Sequence, residues 1–444
     1  MKPHLIVSCT LLVFLVSGCI RVSFNKPERE EMERYAKVNA LYLEEASQPS
    51  YSLSEAFSVD SLLHEVRVHN PDILAAKKQW LAAILRIPQA RFPDNPSVSV
   101  SLMKVPDLVR FDRTMAEDRM LSVSQAFPLF GKLPLSTKIT VLDAQVYAME
   151  YRRQEIEIIN EAKKAYAELF MNYRENELVR QIILLLEEVV KIAEARYSLS
   201  QISQTELLKI NLELARLRNE VENLEKDKGV KEARINLLAN RPPDQTLGVP
   251  QLPENPGFEN NLQQLYRDTL ENHPELKMLS LMIERNKKEK LLAEKTNLPD
   301  FMAGITVRGL PAEIGPWDFM LSLTAPFWFW EKKKYRVEEA IANIDSALAT
   351  YEAMKNRIFY EVKDLSARAS IAQEKMVLLK KTMIPLIESS FEVSIASFRS
   401  GKGDIMMVLD NERLFIETKL EYFQNLVDLS MTLADLDRVT GKAR

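Results

Sequence analysis

Glycine is nearly missing: 11 of 444 residues, against roughly 7% in an average protein. A chain so poor in its most flexible residue has little material for tight turns, and its wealth of Ala, Leu, Glu, Lys and Arg is that of long helices and coiled coils. Cysteine is scarcer still, with only Cys9 and Cys19, and beyond residue 20 the only histidines are His64, His69 and His273. That inventory excludes the usual zinc clusters, and neither a phosphate-cradling glycine loop nor a nucleophile elbow is present. The sequence therefore offers no catalytic constellation, no cofactor and no enzyme class. His69 and His273 stand beside prolines at turns, which suits a structural role, and Met406-Met407 reads as packing. An excess of one charge is also lacking: 59 Lys and Arg face 63 Asp and Glu, so no basic field recruits nucleic acid. After residue 19 no apolar run reaches 18 residues. A helical membrane span is excluded, and any crossing has to be made by a closed β-barrel.

The first residues form a separate object. Lys2 and His4 precede an apolar run from Leu5 to Val16, and Ser17-Gly18-Cys19 follows. This predicts a secretory signal over residues 1–18. The order resembles the lipobox of bacterial lipoproteins, which implies that Cys19 is acylated and that 19–52 form a lipid-anchored tether. The alternative is an ordinary cleaved signal with an incidental cysteine. Either way Cys9 leaves with the signal, and no disulfide remains in an oxidising compartment.

Beyond residue 50 the chain is written twice. Asn70-Pro71-Asp72-Ile73 matches His273-Pro274-Glu275-Leu276, and Phe92-Pro93-Asp94 matches Leu298-Pro299-Asp300. Arg196-Tyr197 with Ser200 falls on Ser397-Phe398 with Gly401, and Ala239-Asn240 on Thr440-Gly441, both at an offset of 201. Two similar halves follow, 53–242 and 262–444, joined by a proline-rich linker over 243–261.

Each half opens with a helical segment (about 53–87 and 262–295), passes two short extended runs, and enters a long helical hairpin. Neither Gly nor Pro occurs between Pro134 and Gly229, nor between Pro326 and Pro385. Ile158, Ala162, Ala165, Leu169, Val179, Ile183, Leu186, Val190, Ala193 and Tyr197 recur at steps of three and four, a coiled-coil seam interrupted by Asn172 and Asn176. The return arm repeats it with Leu207, Ile210, Leu214, Leu217, Val221 and Leu224. A helix over 135–199 would be on the order of 100 Å long.

The extended runs alternate. Val98, Val100 and Leu102 alternate with serines; Leu121 and Val123 with Ser122 and Ser124; Ile305 and Val307 with Thr306 and Arg308; Leu321 and Leu323 with Ser322 and Thr324. An apolar face and a small polar face suit a barrel with lipid outside and water inside. Phe127, Phe130 and Phe327 to Trp330 border the strands as an interfacial girdle would. A half-buried soluble hairpin is the alternative. Four strands cannot close alone, since small barrels need about eight, so several copies must contribute.

This duplicated order, with Gln125-Ala126-Phe127-Pro128-Leu129-Phe130-Gly131-Lys132 between strand pair and hairpin, resembles the TolC-like outer membrane factors of bacterial efflux systems over the whole mature chain. The resemblance implies a mostly α fold with a small β part: two repeats, each a hairpin plus two strands. It further implies a homotrimer in outer-membrane lipid, with a twelve-stranded barrel continuous with a twelve-helix periplasmic tunnel. A periplasmic adaptor and an inner-membrane pump are the implied partners, and the activity is passive exit of small molecules or metal ions. Residues 235–242 are similar to the branch serving heavy-metal exporters of the resistance-nodulation-division type. The turns carrying Tyr197, Ser200, Gln201 and Ser203, and Phe398, Gly401, Lys402 and Gly403, correspond to adaptor-contacting tips. Asp410 and Glu206 match acidic positions of the tunnel constriction, where a carboxylate ring would favour cations. Met407 and Phe398 stand where relatives have Asp and Tyr. For Glu206 a solvated helix-surface carboxylate is the other reading. A tethered periplasmic scaffold or adaptor that never spans the membrane accounts for Cys19 and the hairpins, but not for the serine-lined strands.

Overall fold

The structure, a computed structural model, describes residues 26–47, 53, 57–103, 118–254, 257–296, 298–308, 317–324 and 329–442. Cys19, Phe327, Trp328 and most of the two loops between paired strands lie outside them. The described chain is mostly helical with one small sheet. In order the elements are α1 (Lys26–Ser47), α2 (Val59–His69), α3 (Pro71–Gln89), β1 (Ser97–Met103), β2 (Asp118–Phe127), α4 (Lys132–Ser198) and α5 (Gln204–Leu238). Then come α6 (Leu262–Asn272), α7 (Pro274–Thr296), β3 (Asp300–Arg308), β4 (Trp317–Thr324), α8 (Phe329–Leu378), a π-helical stretch (Leu379–Met383), α9 (Ile384–Arg399) and α10 (Ile405–Val439).

The helical segment that opens each half is two helices divided at the proline-flanked turn, because a proline forces the preceding residue into an extended conformation. Asn70 (φ −67, ψ 123) and His273 (φ −60, ψ 119) are those residues, and Pro71 and Pro274 each start the next helix. Asn70 caps α3: its Oδ1 accepts from the Asp72 and Ile73 N–H groups at 2.9 and 3.2 Å, while its Nδ2 donates to the Leu238 carbonyl at 2.9 Å.

Pro385 does not end the helix that meets it. The helix runs on from α8 to α9 by widening into the π-helical stretch just before the proline, which absorbs the missing N–H and the ring clash.

The chain divides into two compact units, and each draws on both halves. The described residues of Met1–Leu41, Leu81–Gln145 and Lys288–Tyr335 form the first, which holds the sheet. Its four strands are antiparallel in the order β1-β2-β3-β4. Thus the strand pairs of the two halves join through β2 and β3. Lys132, buried at the start of α4, donates to Asp300 Oδ1 at 2.8 Å and to the Leu298 carbonyl at 2.8 Å, pinning the helix to the base of β3.

The second unit holds Tyr42–Trp80, Val146–Lys287 and Arg336–Arg444. Here the seam predicted from spacing is the packed one: Ile158, Ala162, Ala165, Leu169, Val179, Leu186, Val190 and Ala193 are buried on α4, and Ile210, Leu214, Leu217 and Leu224 on α5. The two seam asparagines are held by the return arm. Asn172 Nδ2 donates to the Leu224 carbonyl and Asp227 Oδ2, both at 3.1 Å, and Asn176 Nδ2 to Glu225 Oε1 at 3.0 Å. The linker is fastened down: the Gln251 N–H donates to the Tyr166 hydroxyl at 2.8 Å, and Asn236 Nδ2 donates to the Gln245 carbonyl at 2.7 Å.

Candidate functional site

In the sheet, register decides which side chains share a face. Val98, Val123, Ile305 and Phe319 form one cross-strand row, and Val100, Leu121, Val307 and Trp317 the next, all on one side. The other side carries the rows Ser97-Ser124-Gly304-Met320 and Ser99-Ser122-Thr306-Asp318. Hydroxyls tie this polar face together, with Ser97 and Ser124 Oγ atoms 2.7 Å apart and Ser122 Oγ 2.8 Å from Thr306 Oγ1. Much of the apolar face is uncovered: Val100 is 70% exposed and Phe319 71%. An aliphatic and aromatic surface of this size is unfavourable in water. Among the described residues β1 and β4 each pair on one side only, which leaves two strand edges open.

At the hairpin tips the chain reverses by one motif used twice. α4 closes with Ser200 in the left-handed region (φ 54); its N–H donates to the Tyr197 carbonyl (2.9 Å) and the Gln201 N–H to that of Arg196 (2.8 Å). α9 closes with Gly401 (φ 79) in the same way, its N–H to the Phe398 carbonyl (3.1 Å) and the Lys402 N–H to that of Ser397 (3.0 Å). These are Schellman closures. The pair Asn240 and Gly441 closes α5 and α10 identically. Gly403 is required by space: a Cβ there would lie 2.8 Å from the Phe398 backbone nitrogen.

Ser203 and Glu206 form a capping box at the start of α5. The Glu206 N–H donates to Ser203 Oγ at 3.2 Å, and the Ser203 N–H to Glu206 Oε2 at 2.6 Å. That second bond holds the Glu206 carboxyl below the ordinary carboxylate range. Glu206 is thus committed to its helix end. Asp410 lies exposed near the start of α10, beside an exposed Met407. Tyr197, Ser200, Gln201, Ser203, Gly401 and Lys402 are exposed at the two tips. Phe398 is buried instead, with the Arg196 guanidinium 4.8 Å from its ring centroid and Arg196 Nη1 donating to its carbonyl at 3.2 Å. Its side chain holds the tips together from inside.

Two features escaped the sequence reading. Glu412 and Glu213 are buried carboxylates on α10 and α5, with Arg413 Nη2 3.0 Å from Glu213 Oε2; the signal was a Glu at a seam position. The second is a cavity of about 330 Å³ between α4, α8 and α10, lined in part by Asn160, Lys164, His273 and Asp435. Several of its charges are paired with one another, Lys164 with Asp435 at 2.8 Å and Arg438 with Glu361. Among the described residues no cluster of His, Cys, Asp and Glu has the makings of a metal site, and no helix is long and apolar enough to cross a membrane.

The sequence profile of the outer membrane efflux protein family matches residues 62–241 and 265–442, once on each half. The chain belongs to the outer membrane efflux protein family. It is also similar to the cobalt-zinc-cadmium resistance protein CzcC of Cupriavidus metallidurans, at 22% identity over 123 residues, 28% of this chain and 29% of that protein. The chain spans less than a third of the length of the curated relatives it matches. Among solved structures, outer membrane protein VceC of Vibrio cholerae superposes with a TM-score of 0.72 at 14% identity, covering 86% of this chain and 96% of that one. The open MtrE outer membrane channel of Neisseria gonorrhoeae does so with 0.72 at 14%, covering 87% and 89%. At such identities the likeness is one of fold. For an outer membrane efflux protein, a sheet with one bare apolar face and one hydroxyl-lined face has an immediate physical use. The family is one of transport proteins and not of enzymes.

Proposed function

We propose that three copies of this chain close their sheets edge to edge into one twelve-stranded barrel through the outer membrane. Four strands with open edges are too few for a barrel, and exposed backbone groups are not tolerated in lipid, so closure has to come from further copies. The observation that carries this reading is the sheet itself: register puts Val98, Val100, Val123 and Phe319 on a bare face and serines on the other, with both edges unpaired. The hairpins then continue the water-lined path as a periplasmic tunnel of twelve helices. The protein serves as passive exit duct of a tripartite pump, of the resistance-nodulation-division type, for small molecules or metal ions. The pump in the inner membrane supplies the energy, and a periplasmic adaptor meets the two tips. Cys19 anchors the N-terminus to lipid, and Asp410 adds a carboxylate from each copy to a narrow, cation-favouring aperture.

The test is the purified full chain in mild detergent and then in a planar lipid bilayer. A mass of three protomers and discrete conductance steps are expected. A monomer that leaves the bilayer silent would reduce the protein to a tethered rod.

A further inference from the structure

α10 opens with a buried apolar seam, Ile405, Val408 and Leu409, which resumes at Phe415. The same spacing of three and four puts Glu412 where a hydrocarbon belongs. Its side chain is 0% exposed, and neither carboxyl oxygen has a hydrogen-bond partner. Across the contact, on α5, Glu213 is buried as well, but its charge is countered: Oε2 accepts from Arg413 at 3.0 Å, and Oε1, without a hydrogen-bond partner, lies 3.5 Å from Arg216. The guanidinium groups nearest to Glu412 are therefore engaged with its neighbour. Among the charged groups on the helices of this cluster, Glu187 pairs with Arg218 (2.7 Å) and Glu188 with Arg399 (2.7 Å) from α4, Glu388 of α9 pairs with Lys419 (3.6 Å), and Lys209 of α5 lies 3.5 Å from Met406 Sδ.

A carboxyl group in that position keeps its proton far longer than one in water. Burial, and then the like charge of Glu213, push Glu412 up to about 7, against the smaller pull of Arg413 and Arg216. Its charge state thus changes in the range where a periplasmic protein works.

We propose that Glu412 is a proton-operated clasp between the two hairpins, holding the start of α10 against α5 while protonated and releasing it when ionised. The folded group binds its proton more tightly than an exposed carboxylate does. The packed arrangement is therefore favoured in full below about pH 4.5 and loses that advantage as pH rises through about 7. Ionisation would place a bare anion in an apolar seam beside a second carboxylate, and separating the first turns of α10 from α5 restores its water.

The experiment is hydrogen exchange by mass spectrometry on the full chain in detergent, corrected for intrinsic rates, from about pH 5.5 to about pH 8.5, a range that brackets the titration. Protection of 405–416 and 207–217 is expected to fall with a midpoint near 7. In Glu412→Gln it should stay high and flat across the range. Glu213→Gln removes the like charge and frees two arginines for Glu412, so the midpoint should move down by on the order of one pH unit. Should the amide fold poorly, Glu412→Leu restores the hydrocarbon seam and must also abolish the pH response. A wild-type protein with flat protection, or a Glu412→Gln protein that keeps the transition, would overturn the clasp. Exchange does not require conduction, so failure here is distinct from failure of the channel reading.

Discussion

Val100 is the middle residue of the seven in β1, and Ser99 is its neighbour on the opposite face of the same strand. Replacing each with lysine asks what each face touches while holding strand, depth and sheet edge fixed. If the bare apolar face meets lipid near the bilayer midplane, Val100→Lys costs about 2–4 kcal/mol per protomer. That is about 30- to 900-fold in the folding equilibrium of each copy, and three copies in one barrel multiply the effect. Ser99→Lys points into water and should stay within about 0.5 kcal/mol of the parent. The readout is a urea titration of protein refolded into lipid vesicles, followed by heat-modifiable migration and tryptophan fluorescence. Were the sheet instead a soluble hairpin pair, Val100 at 70% exposure would already be in water, and its lysine variant would match that of Ser99. Two variants within about 0.5 kcal/mol of each other and of the parent would refute the lipid-facing assignment.

Asp410→Asn is expected to lower cation preference, read as a smaller reversal potential under a salt gradient; an unchanged potential removes Asp410 from the aperture. Gly403→Ala should destabilise the second tip by about 1–3 kcal/mol, because the new methyl lies 2.8 Å from a backbone nitrogen. By contrast Gly229→Ala meets nothing within 4 Å in mid-helix and should stabilise α5 by about 0.5–1 kcal/mol. Thermal melts of both decide this. His273, buried among charged groups, is held down to about 4 by burial first and Arg438 second. Its folded-state value is depressed, so its contribution is intact above the ordinary 6.5 and is lost as pH falls toward 4. His273→Asn, which copies Asn70 of the first half, should remove that loss, so the variant's melting temperature should gain on the parent's as pH falls from about 6.5 toward about 4; a constant difference would exclude His273 as its source.

Most of this fold could be read from hydrophobic spacing, because long seams repeat a simple rule many times over. The α4 and α5 residues picked by steps of three and four are, with few exceptions, the buried ones, and the strand alternation survives in the register. What stayed hidden depends on single contacts. No spacing rule announces that Pro385 is absorbed by a π-helical stretch, since that depends on the packing of the turns around it. Phe398 corresponds to an adaptor-contacting tip position of the resembled family, yet it is buried, with the Arg196 guanidinium from the other hairpin over its ring. At Ser203 the Ser-x-x-Glu spacing is a capping box, a local signal that stands beside the match of Glu206 to an acidic tunnel position.

The two halves share their closures at helix ends, yet Glu412 and His273, two groups whose proton affinity burial moves strongly, both belong to the second half. Glu412 lies near the start of α10, and Arg438, which bears on His273, near its end. They are separated by 26 residues (438 − 412), about 39 Å along the helix and several times the screening length in physiological salt. Each end therefore titrates on its own, and in opposite senses. Falling pH protonates Glu412 and tightens the tip end, while it draws the unfolded form of the His273 end toward a charged state that the fold refuses. Rising pH does the reverse. A single helix so arranged should exchange its protection from one end to the other as pH crosses the interval between about 4 and about 7. Global melting would largely miss this, since the two contributions oppose each other there. Residue-resolved exchange along 405–439 would reveal it, and protection that rises or falls uniformly along the helix would show that the two ends do not titrate as argued.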